Sequence, residues 1–151
     1  MIYVYIVVFT IFSIINLIRG IKVRIRTVFN KMDFISIVFL WALFMLVGYF
    51  FKSDFKKVLV MAIVASFYLL TSKYARGVTE EGIIVQSKSF MVKEYGFSEI
   101  KEIDISDDGQ LLMLSIVLKS KDTDVQRYPI ARKVELIKIL KDNNNISFTY
   151  K

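Results

Sequence analysis

The chain has 151 residues, 55% of them hydrophobic and 15% aromatic, with mean hydropathy +0.51 and net charge +7. A soluble domain carries roughly 45–50% apolar residues even with Gly counted, so the composition excludes a plain soluble globule and the length allows a membrane segment plus one small domain. With no Cys and no His, the chain lacks disulfides, thiol nucleophiles, imidazole catalysis, and zinc, haem or iron–sulfur sites held by those residues, and no cofactor is expected.

The positive charge is unevenly placed. Residues 1–77 carry ten Lys/Arg against two acids, a balance of +8, while residues 78–151 carry eleven against twelve, a balance of −1. A nucleic-acid module would concentrate basic residues on its folded domain. Here they lie among apolar runs, so no nucleic-acid partner is expected.

Residues 2–18, "IYVYIVVFTIFSIINLI", are free of charge and predict a membrane helix of about 25 Å. A cleaved signal peptide would place charge before the apolar stretch and small residues after it. In this chain the charges follow, which predicts a retained helix. Residues 34–51, "FISIVFLWALFMLVGYFF", predict a second span, with aromatics Tyr49, Phe50 and Phe51 crowding one end as an interface favours. Residues 58–72 are a shorter run flanked by Lys56, Lys57 and Lys73, whose stems can snorkel; they predict a third span over about residues 56–73.

Between the first two runs lies "RGIKVRIRTVFNKMD", with Arg19, Lys22, Arg24, Arg26 and Lys31 against Asp33. This cluster, with Lys73 and Arg76 after the third run, outweighs the three lysines Lys52, Lys56 and Lys57 in the intervening turn. Short-loop Lys/Arg bias places the richer side in the cytoplasm. The expected topology is multi-pass in the cell membrane, with the N-terminus and residues 52–57 outside and the basic loop and C-terminal domain inside. The cluster also attracts anionic lipid by about 1 kcal/mol per cation near the surface. The spans hold only mild polar groups: Thr10, Ser13, Asn16, Ser36, Ser66 and Thr71. Pumps and ion pathways require ionisable groups there, which disfavours a transporter. Ala62 and Ser66 form a small-xxx-small pair for close helix approach, and Asn16 is placed to bond across helices.

Residues 1–76 are thus read as the transmembrane region and 77–151 as a small cytoplasmic β-rich domain. "EEGIIVQS" predicts a strand and "SFMVKEY" its partner, with Phe90 and Val92 on one face. "EIKEIDIS" alternates, placing Ile103 and Ile105 opposite Glu102, Asp104 and Ser106. The turn "DDG" then signals a hairpin into residues 111–118, which are apolar on both faces and predict a central strand. "VQRYPI" predicts an edge strand, because Pro129 cannot donate to a ladder. "ARKVELIKILKD" has Val134, Ile137 and Leu140 at helical spacing and predicts a closing helix, ended by "NNN" before a last short run, "ISFTY". The predicted class is an α+β membrane protein: three N-terminal transmembrane helices, then a small antiparallel β-rich domain with a C-terminal helix.

"VTEEGIIVQSKSFMVKEYGFSEIKEIDI", followed by a hairpin and a closing helix, resembles the bacterial pleckstrin-homology-like (PH-like) domains found beside membrane spans in small envelope proteins. Glu81-Gly82-Ile83 and Phe97-Ser98-Glu99-Ile100 carry the resemblance, although many members have Trp where this chain has Phe97 or Gly96. It implies a curved antiparallel sheet capped by a helix and used for binding. Some small bacterial membrane proteins with such domains resemble immunity proteins, which protect a producer from its own membrane-active bacteriocin.

Other motifs are weaker. "DISDDG" begins like a calcium loop, but Ser115 stands where the bidentate Glu is required, and a hairpin turn explains it better. The sequon Asn145-Ile146-Ser147 serves only in a secretory lumen. Glu80/Glu81 and Asp122/Asp124 read as solvated turn charges, without the shielded pair that acid/base catalysis needs. The expectation is a non-enzyme, with no metal or cofactor site and no catalytic residue. Its partners are the lipid bilayer and, beyond it, a membrane-active peptide, another membrane protein such as an ABC-transporter complex, or further copies of itself. Candidate peptide or lipid contacts are Lys52, Lys56, Lys57, Tyr49, Phe50 and Phe51 on the outer side and Arg19, Lys22, Arg24 and Arg26 on the inner.

Overall fold

The computed structural model describes residues 2–86, 91–143 and 147–150. Three long helices come first: α1 (Ile2–Ile21), α2 (Lys31–Phe50) and α3 (Phe55–Ala75), of 20, 20 and 21 residues. Each is about 30 Å long, the thickness of a bilayer's hydrocarbon core, so the chain has three candidate membrane spans.

The helices differ in extent from the charge-free runs, and their ends explain why. α1 continues through Arg19 to Ile21, since a terminal cation does not break a helix. α2 starts at Lys31 because the Asn30 side chain accepts from the N–H groups of Met32 and Asp33 at 2.6 and 3.1 Å, while the Asp33 carboxylate accepts the Asn30 N–H at 3.0 Å. This reciprocal capping box satisfies two otherwise orphaned donors. α3 is capped by Asp54, whose carboxylate accepts the Lys56 N–H at 3.0 Å.

α3 is the central helix. Half of its apolar window is buried, against 17% for α1 and 6% for α2. Ala62, Ala65 and Ser66 supply the close approach, as the small-xxx-small spacing predicts. The Ser66 hydroxyl donates to the Ala62 carbonyl at 2.7 Å and accepts the Trp41 indole N–H at 2.8 Å, tying α2 to α3. On α1, Ser13 bonds back to the Phe9 carbonyl at 2.8 Å. Asn16 is buried, but its Nδ2 has no partner among the described residues, so the expected cross-helix donation from that amide is not made.

The C-terminal half forms two sheets. One has the order β1-β2-β3-β4, built from β1 (Ile25–Arg26), β2 (Gly77–Val78), β3 (Gly82–Gln86) and β4 (Val92–Gly96), all antiparallel. A 3₁₀ turn at Phe97–Glu99 leads to the second sheet. There β5 (Ile100–Asp107), β6 (Leu111–Leu118) and β7 (Thr123–Pro129) run antiparallel, and β8 (Ser147–Tyr150) returns parallel to β5, in the order β7-β6-β5-β8. A second 3₁₀ turn at Ile130–Arg132 precedes α4 (Lys133–Asp142).

Strand periodicity predicts most of this region. Ile103 and Ile105 of β5 are buried, as are Leu112, Leu114, Ile116 and Leu118 of the central β6, while the opposite face of β6 is only half-buried. The β5–β6 hairpin turns where expected: the Asp108 carboxylate accepts the Gln110 and Leu111 N–H groups at 3.1 and 2.7 Å, and Gly109 takes φ 83°. β7 is an edge strand that ends at Pro129. β3 and β4 pair as expected, with Val92 buried; Phe90 lies outside the described residues.

Two features differ from expectation. The basic stretch is more than a loop, because Ile25 and Arg26 pair with Val78 and Gly77, and Ile25 enters the β core at 1% exposure. Gly77 is needed at this crossing: its φ is 152°, and a Cβ there would lie 2.2 Å from the Ile25 carbonyl oxygen. In α4, Leu136 and Leu140 are fully buried, Ile137 and Ile139 pack partly, and Val134 is 82% exposed. The helix presents its i, i+4 leucine pair to the sheets, so Val134 is not a core residue.

Candidate functional site

The predicted outer contacts gather at the α2–α3 turn. Tyr49 and Phe50 end α2 at 82% and 70% exposure with their rings edge-on at 6.0 Å, and Phe51 is 78% exposed. Lys52, Lys56 and Lys57 follow, all exposed, with Lys57 4.0 Å from Asp54. The two predicted groups occupy opposite ends of the helices, since α1 and α3 both finish at the β region while α2 runs away from it.

The basic stretch is divided among three tasks. Arg19 donates to the Val92 carbonyl, tying the end of α1 to β4. Arg24 pairs with Glu80 at 3.0 Å on the surface, and with Lys22 it lines a shallow cleft beside Glu81 and Glu94. Arg26 lies over the Tyr74 ring, 4.0 Å from its centroid, and donates to the Tyr74 hydroxyl at 2.6 Å.

Where helices meet sheets, Val23, Ala75, Ile84 and Val92 form a small apolar cluster. β3 is therefore buried on both faces, with Ile83 and Val85 toward the β core and Ile84 toward the helices. Around this cluster runs a polar layer. Lys73 near the end of α3 pairs with Asp33 at the start of α2 at 2.6 Å. Arg76, the C-cap of α3, donates to both Asp124 carboxylate oxygens at 2.7 and 2.9 Å. The Gln126 side-chain amide donates to Asp124 at 2.8 Å and to the Ile84 backbone carbonyl at 2.9 Å, and the Tyr128 hydroxyl donates to the Gln126 side-chain Oε1. Tyr128 is fully buried, and burial pushes its phenol far above its usual range.

This chain of bonds joins α3, β7 and β3 through groups far apart in the chain. Asp124 is not a solvated turn charge: it lies in β7 with its side chain 13% exposed. A buried charge of this kind persists when it is paired and hydrogen-bonded. The backbone adds one more tie, from the Val28 N–H to the Arg127 carbonyl at 2.8 Å. Only Lys73 and Arg76 carried a local signal, as cations closing an apolar helix.

A third feature lies within the helices. α1 and α2 both lean on α3 and leave an apolar trough of about 410 Å³, lined by Val8, Phe9, Phe12, Leu40, Phe44 and Tyr68 among others. The Tyr68 ring meets Phe9 at a tilt and Phe12 edge-on, with centroids 5.4 and 6.4 Å apart. Among the described residues no group of three or more carboxylates is arranged to hold a metal ion. Comparison with protein-family models, curated proteins and solved structures finds no match.

Proposed function

We propose that the chain is a non-catalytic, multi-pass protein of the bacterial cell membrane that protects its producer against a membrane-active peptide. The observation that carries this reading is the apolar trough between α1 and α2, open within a helical unit whose β region is braced against α3 by buried bonds. Such a unit is equipped to bind, occupy or brace. Two packed sheets followed by α4 support the PH-like resemblance, which is where the protective role comes from; fold alone does not carry function. In this reading the N-terminus and the Lys52–Lys57 turn face outward, and the β region is cytoplasmic.

The test is expression in a sensitive bacterial strain challenged with the cationic, membrane-active peptide encoded beside the gene. The tolerated dose rises and the peptide stays intact. Replacing Lys52, Lys56 and Lys57 by Glu weakens protection without preventing insertion, because the lysines repel a cationic peptide. Cysteines placed at Asp54 and Ser120 report orientation: an impermeant maleimide labels the first and not the second in intact cells. Protection with residues 78–151 deleted would make the β region dispensable.

The exposed apolar faces of α1 and α2 favour a second reading, an accessory subunit of a larger membrane complex such as an ABC transporter. Absence of protection against any neighbouring peptide, with a membrane protein co-purifying, selects it.

A further inference from the structure

The connector between α1 and α2 and the last turn of α3 enclose a cavity of about 230 Å³, lined by Arg26, Thr27, Phe29, Leu70, Lys73 and Tyr74. Thr27, Val28 and Lys73 also line a smaller, more polar cavity of about 150 Å³, which reaches Asn30, Asp33 and Arg76. Arg76 is 7% exposed, and its Nε–H has no hydrogen-bond partner among the described residues. Four cations line these cavities, Arg26, Lys73, Arg76 and Arg127, against Asp33, paired with Lys73, and Asp124, bound to Arg76. The local balance is positive, and the buried Arg76 Nε–H is an unused donor among the described residues.

The surroundings of this crevice identify what would occupy it. Phe29, Leu70 and Tyr74 are 48%, 45% and 38% exposed along its apolar wall. Leu70 and Tyr74 belong to the last turns of a candidate span, and the crevice straddles the end of that span, the depth at which headgroup phosphates lie. A free anion leaves the apolar wall uncovered. We propose that the crevice binds the phosphate of one anionic phospholipid, with Arg26 and Lys73 as its charged contacts and the chains lying along Phe29 and Leu70. This site stands whether or not the chain protects against a peptide. It separates Arg26 from Arg24, which pairs with Glu80 beside a different cleft.

The test uses the full chain in detergent, titrated with phosphatidylglycerol, phosphatidylcholine or inorganic phosphate and read by native mass spectrometry. One phosphatidylglycerol is expected to bind in preference to phosphatidylcholine. Arg26→Gln weakens that binding roughly fivefold, the worth of one cation near an anionic surface. Arg26→Lys retains most of the affinity, and Arg24→Gln, which removes the same charge close by, leaves it unchanged. Equal weakening by Arg26→Gln and Arg24→Gln would reduce the effect to diffuse attraction and overturn the site. Equal binding of the two lipids would also overturn it, as would inorganic phosphate displacing phosphatidylglycerol at comparable concentration.

Discussion

In the β region Ile103, Leu114 and Ile116 are fully buried, whereas Val4, Phe39 and Phe50 on the helices are 63%, 68% and 70% exposed. Both regions are rich in large apolar side chains, and the difference is the one expected if the β region meets water and the candidate spans meet lipid. In water the β region must close a core, because the hydrophobic effect is its main source of stability. In a bilayer the surrounding chains are as apolar as leucine, so helices associate through small-residue packing and a few polar bonds. Ala62, Ala65, Ser66 and the Trp41–Ser66 bond are that minimum here. The two regions meet through a buried apolar cluster edged by charges that pair across the joint.

The comparison breaks most visibly at the centre of β6. Leu114→Asp places a carboxylate without a partner in the β core, at a cost of several kcal/mol. The expected outcome is loss of β-sheet circular dichroism and of protease resistance after about residue 77, while the helices still insert. Unchanged melting would refute the assignment of β6 to the core.

The joint is the next most sensitive place. Arg76→Met leaves Asp124 buried and unpaired, which costs about 3–5 kcal/mol. Combining it with Asp124→Leu is expected to recover most of that loss, because removing both partners of a buried pair is often neutral. Denaturant titration of the purified full chain measures both, and equal losses for the single and double variants would contradict the clamp.

Among the candidate spans the expected effect is smaller. Trp41→Phe removes the bond to Ser66, and a polar bond between transmembrane helices contributes about 0.6 kcal/mol on average. Unfolding in mixed micelles, followed by circular dichroism because Trp41 is the sole Trp, should register that modest loss. A loss as large as that of Leu114→Asp would mean the helices depend on this bond far more than bilayer packing allows.

The smallest effect lies at the β5–β6 turn. The N–H groups of Leu111 and Gln110 hold the exposed Asp108 carboxyl below its usual range. A depressed carboxyl stabilises the fold above its unfolded pKa, and that contribution is lost as pH falls through the folded pKa. The native chain should therefore melt slightly above Asp108→Ala near neutrality, with the gap closing on acidification. A gap that widens in acid would assign the turn's stability to something else.

Much of the molecule is legible without coordinates because its signals are local. Charge-free runs mark the helices, alternation marks β5, a run apolar on both faces marks the central β6, and Asp-Asp-Gly marks their hairpin. Asn30 and Asp33 spell a helix start, three residues ahead of the apolar run that suggested one. What requires the tertiary structure depends on residues far apart in the chain. A two-residue strand such as β1 has no periodicity and exists only because β2 is there to pair with it. Asp124 resembles any solvated acid until the fold brings Arg76 to it across 48 positions. In α4 the residues Val134, Leu136, Ile137 and Leu140 permit more than one apolar stripe, and the position of the sheets selects Leu136 and Leu140. Sequence determined which segments seek lipid and which seek a core; the tertiary structure decided which charges become partners, because burial and pairing depend on neighbours that the chain order does not supply.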